Sequence, residues 1–139
     1  MSPRDVGEAR IAEKATNEFE IAAIRHPGDL TTVLTTVNDQ RGSSSGRVWF
    51  LVSESDVEAP FLVVGVRGEV GALEWIDNER FVPANGVNPE WTTYYTVYLH
   101  DNSMPPHAEL PLAEVLAAAE EYVRTGRRPT CVDWTPEAA

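Results

Sequence analysis

Hydrophobic and polar positions alternate in several short stretches of the chain and recur at helical spacing in two others. Phe19, Ile21 and Ala23 alternate with Glu18, Glu20 and Ala22, which predicts a first strand over Glu18 to Arg25. His26-Pro27-Gly28 breaks it, and Asp29 is placed to cap a helix carrying Leu30, Val33, Leu34 and Val37. Asn38 to Gly46, with Gly42-Ser43-Ser44-Ser45-Gly46, reads as a flexible loop. Arg47 to Ser53 and Phe61 to Arg67 are β-branched, aromatic and short, as strands are. An acidic connection, Glu54 to Pro60, joins them. Gly68 to Gly71 predicts a turn, and Ala72 to Asp77 a further strand with Leu73 and Trp75 on one face and Glu74 on the other.

Phe81 to Glu90 holds Pro83, Asn85-Gly86 and Asn88-Pro89 and reads as a loop. Trp91 to His100 has the clearest alternation in the chain, apolar on both faces, and predicts a central strand covered on each side. Asp101 to Leu110 is expected to be a loop. Pro111 suits the first turn of a helix whose stripe is Leu112, Val115, Leu116, Ala119 and Val123. Gly126 fits its C-terminal end and Pro129 prevents continuation. Thr130 to Trp134 is a short final strand.

The expected fold is α+β, a mainly antiparallel sheet of five to six strands with two main helices packed on it. The 139 residues provide one core. Residues 1–17 are expected to be a polar tail or weak helix, 18–134 the domain and 135–139 a tail. Trp49, Trp75, Trp91 and Trp134, at strand spacing, are assigned to the core.

Charge narrows the partners. The formal net charge is −11, from 22 acids against 11 bases. Nucleic-acid phosphates and anionic membranes would repel such a chain, so neither is expected as a direct partner. Cys131 is the only cysteine, which excludes an internal disulfide and suits a reducing compartment. Met1 to Asp5 leads into no apolar run of the signal-peptide kind, and no stretch is long enough to span a bilayer, so a cytoplasmic location is expected.

Candidate chemistry is sparse. His26, His100 and His107 fall at strand ends or in loops and form no HExxH motif, and one cysteine makes no CxxC. No metal, cofactor or catalytic residue is assigned. Ser43, Ser44 and Ser45 lie in a linker unsuited to holding a nucleophile, and Cys131 is expected to be buried and inert. Gly65, Gly68 and Gly71 flank a hairpin turn with no helix after it, so they form no phosphate cradle. Carboxylates are plentiful, and they are read either as solvated charge or as a docking surface for a basic partner.

The second half carries a resemblance. The order is Gly68-x-x-Gly71-x-Leu73-x-Trp75, an aromatic strand around Tyr94-Tyr95, and a helix begun by Pro111. It ends with Tyr122-Val123-x-Thr125-Gly126-x-Arg128-Pro129-x-x-Val132-x-Trp134. This resembles immunity protein family 1 of bacterial polymorphic toxin systems over about residues 18 to 134. The resemblance implies a small α+β protein without enzymatic activity. It also implies a partner encoded beside it, a secreted toxin whose active domain is often a nucleic-acid deaminase.

An acidic protein fits that role, because carboxylates can stand where phosphates would enter a basic cleft. The contact residues expected are Glu54, Asp56, Glu58, Glu69, Glu74, Asp77 and Glu79. A second reading is a small enzyme or ligand-binding protein with a pocket beneath Trp91 to His100, using His100 and Glu74. A third is an interaction module with an unrelated partner.

Overall fold

The computed structural model describes residues 18–41, 46–53, 59–96 and 100–137. In chain order its elements are β1 (Glu18–Glu20), a 3-10 turn (Ile21–Ala23), α1 (Pro27–Arg41), β2 (Gly46–Val52), β3 (Phe61–Arg67), β4 (Val70–Asp77), β5 (Glu79–Pro83), β6 (Tyr94–Tyr95), β7 (Glu109–Pro111), α2 (Leu112–Thr125) and β8 (Trp134–Pro136). The eight strands form one mainly antiparallel sheet with both helices packed against it, an α+β fold with more strands than the five or six expected.

The extra strands arise because two edges are shared. β2, β3 and β4 make an antiparallel meander. β1 and β6 both run parallel to β2, pairing with its C-terminal and N-terminal halves. β7 and β5 divide β4 likewise, at Val70–Ala72 and Trp75–Asp77. β8 pairs with β5 and ends the sheet.

Alternation along the meander feeds two cores. Trp49, Leu51, Leu62, Val64, Val66, Leu73 and Trp75 face the helices and pack with Leu30, Leu34, Val115, Ala119 and Tyr122. Val48, Val63, Ala72 and Val82 face the other way, against Tyr94, Met104 and Ala108. That second core explains why the strands read as nearly continuous apolar runs: both faces are covered. Helices cover one and the chain between β5 and β7 covers the other.

The helices follow local rules. Pro27 begins α1, where its missing N–H costs nothing. Asp29 lies within the first turn instead of capping it, and its carboxylate still suits the positive end of the helix dipole. The threonines of α1 are accommodated by back-bonding: Thr32 Oγ1 donates to Gly28 O at 3.0 Å and Thr35 Oγ1 to Thr31 O at 2.9 Å. α1 runs through Asn38, which had been assigned to the following loop. The reason is tertiary, because Asn38 Nδ2 donates to Gly68 O (2.7 Å) and Asn38 Oδ1 accepts from Gly68 N (2.8 Å). α2 ends at Gly126, whose φ of 69° is left-handed and whose N–H donates to Tyr122 O at 2.7 Å.

Several elements differ from expectation. The first strand stops at Glu20, because Ile21 and Ile24, not Ile21 and Ala23, are the buried pair, and a 3-10 turn gives that spacing. β5 (Glu79–Pro83) takes in the start of the expected loop Phe81 to Glu90. β7 (Glu109–Pro111) takes in the end of the expected loop Asp101 to Leu110 together with Pro111, which caps the helix at Leu112 and is not part of its first turn. The expected strand Trp91 to His100 is reduced to Tyr94–Tyr95 and two isolated bridges, Thr92 to Met104 and Tyr95 to Asp101, with 97–99 outside the described residues. The last strand is displaced to Trp134–Pro136, so Thr135 and Pro136 belong to the sheet and not to a tail.

Candidate functional site

The segment between β5 and β7 is held on the sheet by buried polar side chains. Asn88 Nδ2 donates to Glu90 O and Pro105 O, both at 2.9 Å, while its Oδ1 accepts from Glu109 N at 2.8 Å. Val87 N donates to Glu109 O and His107 N to Asn88 O, each at 2.8 Å. Glu109, only 3% exposed, receives two bonds from Arg67 (2.9 and 3.0 Å) and one from the Tyr94 hydroxyl (2.8 Å). This arrangement supplies the Glu109 carboxylate with donors, as its burial demands. Desolvation and the neighbouring Glu109 push the Tyr94 phenol well above its usual range.

With the segment fixed, two of its apolar side chains are left outside. Trp91 is 64% exposed and Val87 63%. Trp91 had been assigned to the core with the other tryptophans. Trp49 and Trp75 are buried, and Trp134 is half-buried with Nε1 donating to Pro129 O at 2.9 Å.

Trp91, Pro106 and His107 form one wall of a cleft of about 340 Å³, and Val82, Pro83, Thr135 and Glu137 lie among its remaining residues. The cleft thus opens between the segment and the β5–β8 edge of the sheet. Its carboxylate is Glu137, whose amide donates to Arg80 O at 2.8 Å and extends the β5–β8 ladder.

Beside the cleft stands a carboxyl pair. Glu74, in β4, is 5% exposed, and Arg80 Nη1 donates to its Oε2 at 3.2 Å. Burial, then hydrogen bonding and charge from Glu137, push the Glu74 carboxyl from an ordinary 4.5 up to about 8, against the opposing pull of Arg80. Glu137 Oε1 is buried and meets no N–H or hydroxyl donor. Glu137 favours the protonated form of Glu74, since two neighbouring ionised carboxylates repel.

The expected contact residues are distributed over three places. Asp77 and Glu79 are exposed and pair across the β4–β5 turn, where Asn78 takes a left-handed φ of 66°. Glu69 is exposed in the β3–β4 turn, and its carbonyl accepts from Leu112 N at 3.0 Å. Glu69 and Asp77 are eight positions apart along the strand, roughly 26 Å at ~3.3 Å per residue. Glu74 is buried, not displayed on an outward face, because that face carries the second core. Glu54, Asp56 and Glu58 lie outside the described residues, but Val52 and Phe61, which flank their segment, pair with each other at the sheet end that carries Asp77 and Glu79.

Other candidates resolve plainly. His26, His100 and His107 are exposed. His100 and Glu74 do not line the cleft; its histidine is His107 and its acid Glu137. Among the described residues no three His, Cys, Asp or Glu side chains gather as a metal-binding group. Cys131 is exposed, contrary to expectation, yet partial desolvation and then Glu121 push its thiol up from 9.0. Among the described residues, no helix is long and apolar enough to cross a membrane.

Trp91 and Glu137 were missed as site residues. The one signal for Trp91 was its place directly after Asn88-Pro89-Glu90, a loop sequence that an alternating strand pattern overrode.

A sheet covered by helices on one face and by a clamped excursion on the other defines a small α+β protein with an apolar cleft that Glu137 borders. The family model described as Immunity protein Imm1 matches residues 20–136, and the chain belongs to that family. Membership gives it an immunity function against a toxin, and a cognate toxin as its partner. No curated protein matches the chain.

Proposed function

We propose that the protein binds a cognate secreted toxin directed at nucleic acid, a deaminase, and neutralises it in the cytoplasm by covering the toxin's active site. The observation that carries this reading is the family match over residues 20–136. The net charge of −11 supports the rest. An enzyme that handles nucleic acid needs a cationic substrate cleft, and an acidic surface competes for it.

The sheet end bearing Asp77 and Glu79 is the proposed electrostatic face, and Glu54, Asp56 and Glu58 are proposed as further contacts. Glu69, at the opposite end of β4, is proposed as a separate contact. Glu74 acts from within, through Glu137 and Arg80. Exposed charges of this kind accelerate association more than they tighten the complex.

Co-expression with the toxin encoded beside it tests the proposal. A stable complex, protection of the host and loss of deamination on a single-stranded substrate are expected. A complex that leaves the substrate site open would remove the occlusion mechanism, and no complex would remove the proposal.

A further inference from the structure

The reading above leaves the affinity unexplained, because rim carboxylates contribute little to it. Tight complexes are anchored by a few well-packed side chains, tryptophan, tyrosine and arginine foremost. Trp91 is the largest exposed apolar side chain in the described structure. Its backbone is fixed: Asn88 binds Glu90 O, and Thr92 exchanges two backbone bonds of 2.9 Å with Met104. An indole held on a rigid segment loses little freedom on binding.

The surroundings of the indole select the chemistry of what binds it. Pro83, Pro106, Pro136 and Val82 give apolar walls, and Glu137 gives a carboxylate. Arg80, whose carbonyl accepts from Glu137 N, is already engaged with Glu74 at 3.2 Å. A flat aromatic face with an acid in the same cleft suits a guanidinium, which stacks on the ring and donates to the second oxygen of Glu137, its Oε1 being buried.

The geometry points to this cleft as the seat of an arginine side chain of the toxin, stacked on Trp91 and hydrogen-bonded to Glu137. The inference rests on the proposed function and adds to it the anchoring contact and the chemistry on the toxin's side. It also places that anchor beyond the acids expected from sequence, at the β5–β8 edge.

The probe is the purified toxin domain encoded beside this chain, and the readout is the dissociation rate from the full-length protein. Trp91→Ala should weaken binding about thirtyfold or more, the range of an interface hot spot. Trp91→Phe should lose less, and Glu137→Gln about tenfold, as for one charge-assisted contact. Thermal melting of each variant reports folding separately, and Trp91→Ala should melt as the parent does. A double-mutant cycle between Trp91→Ala and each toxin Arg→Ala should find one strongly coupled arginine.

Wild-type binding of the toxin with unaltered binding by Trp91→Ala, or with no coupled arginine, overturns the inference and leaves the proposed function standing. No binding by the wild-type protein overturns the proposed function itself.

Discussion

Tyr94 fills the space that a side chain on Gly65 would need: a Cβ there would stand 2.6 Å from ring carbon Cε2 of Tyr94. Gly46 is excluded from bearing a side chain by the same ring, at 2.4 Å. The ring belongs to the excursion and the glycines to β2 and β3, so the pair is what lets the excursion settle on the second face of the sheet. Gly65→Ala is therefore expected to cost about 1–3 kcal/mol, the usual range for overpacking. Urea denaturation measures the loss. Because the strain displaces the segment carrying Trp91, toxin binding should weaken as well; a variant that is destabilised but binds normally would show that the cleft does not depend on this contact.

The hydroxyl of the same tyrosine donates to Glu109 at 2.8 Å, inside a network completed by Arg67. Tyr94→Phe removes one donor from a buried carboxylate that keeps its two bonds to arginine. The expected cost is about 1–2 kcal/mol. Arg67→Met should cost more than Tyr94→Phe, because it strands Glu109 as an uncompensated charge; the arginine is partly exposed, which brings the figure below that of a fully buried pair. Equal losses for the two variants would mean that the buried Glu109 side chain does not depend on Arg67 for its compensation.

Much of the fold was legible from local pattern. The meander β2–β4 is read from short β-branched and aromatic runs and a glycine turn, α2 from its apolar stripe, and Gly126 from its place after that stripe. Where reading failed, the deciding contacts were distant in sequence. Tyr94 is buried by glycines 29 and 48 positions away and by Glu109, so the alternation from Trp91 to His100 is that of a clamped segment with one short strand. Glu74 was placed on the correct face of β4, but alternation says which face a residue is on and not whether that face is covered. Its neighbours Arg80, of β5, and Glu137 are distant from it in pattern or in sequence. Trp91 was assigned inward by residue type, and only the tertiary path of the chain turns it outward.

Asn38 joins α1 to the β3–β4 turn through paired bonds of 2.7 and 2.8 Å with Gly68, as a neighbouring strand would. The side chain is buried, so its loss leaves both backbone groups short of a partner. Asn38→Ala is expected to lower stability by about 2 kcal/mol, the sum of two ordinary net contributions. Asn38→Asp should not rescue it, since a carboxylate cannot donate to Gly68 O. Hydrogen exchange should show faster opening of the Gly68 amide in both variants, and an unchanged Gly68 rate would contradict the pairing.

Cys131 is exposed but poorly disposed to react. Partial desolvation and the carboxylate of Glu121 both hold its thiol above the ordinary value. Glu121 is itself engaged by Thr130 N and Oγ1 at 2.8 Å and by Cys131 N at 3.2 Å. Alkylation by iodoacetamide near neutral pH is expected to be several-fold slower than that of the denatured chain, because the thiolate is the reactive form. Glu121→Gln should speed it. A native rate equal to the denatured one would show that the thiol is not held up.

Glu74 gives the protein a characteristic dependence on pH. Its carboxyl is raised from an ordinary 4.5 to about 8, so between those values the folded chain holds a proton that the unfolded chain has released. Stability contributed by this group is then present below pH 4.5, falls as pH rises through the window, and levels off above about 8. Other acids in a chain of charge −11 push in the same direction through mutual repulsion, so the wild-type slope alone does not isolate Glu74. Glu74→Gln does. A neutral amide keeps a donor toward Glu137 and never ionises. The variant should match the wild type near pH 5, exceed it at pH 8.5, and show a flatter curve of unfolding free energy between them. An identical slope in both proteins would mean that Glu74 is ionised throughout, with Arg80 and not the shared proton as its principal partner.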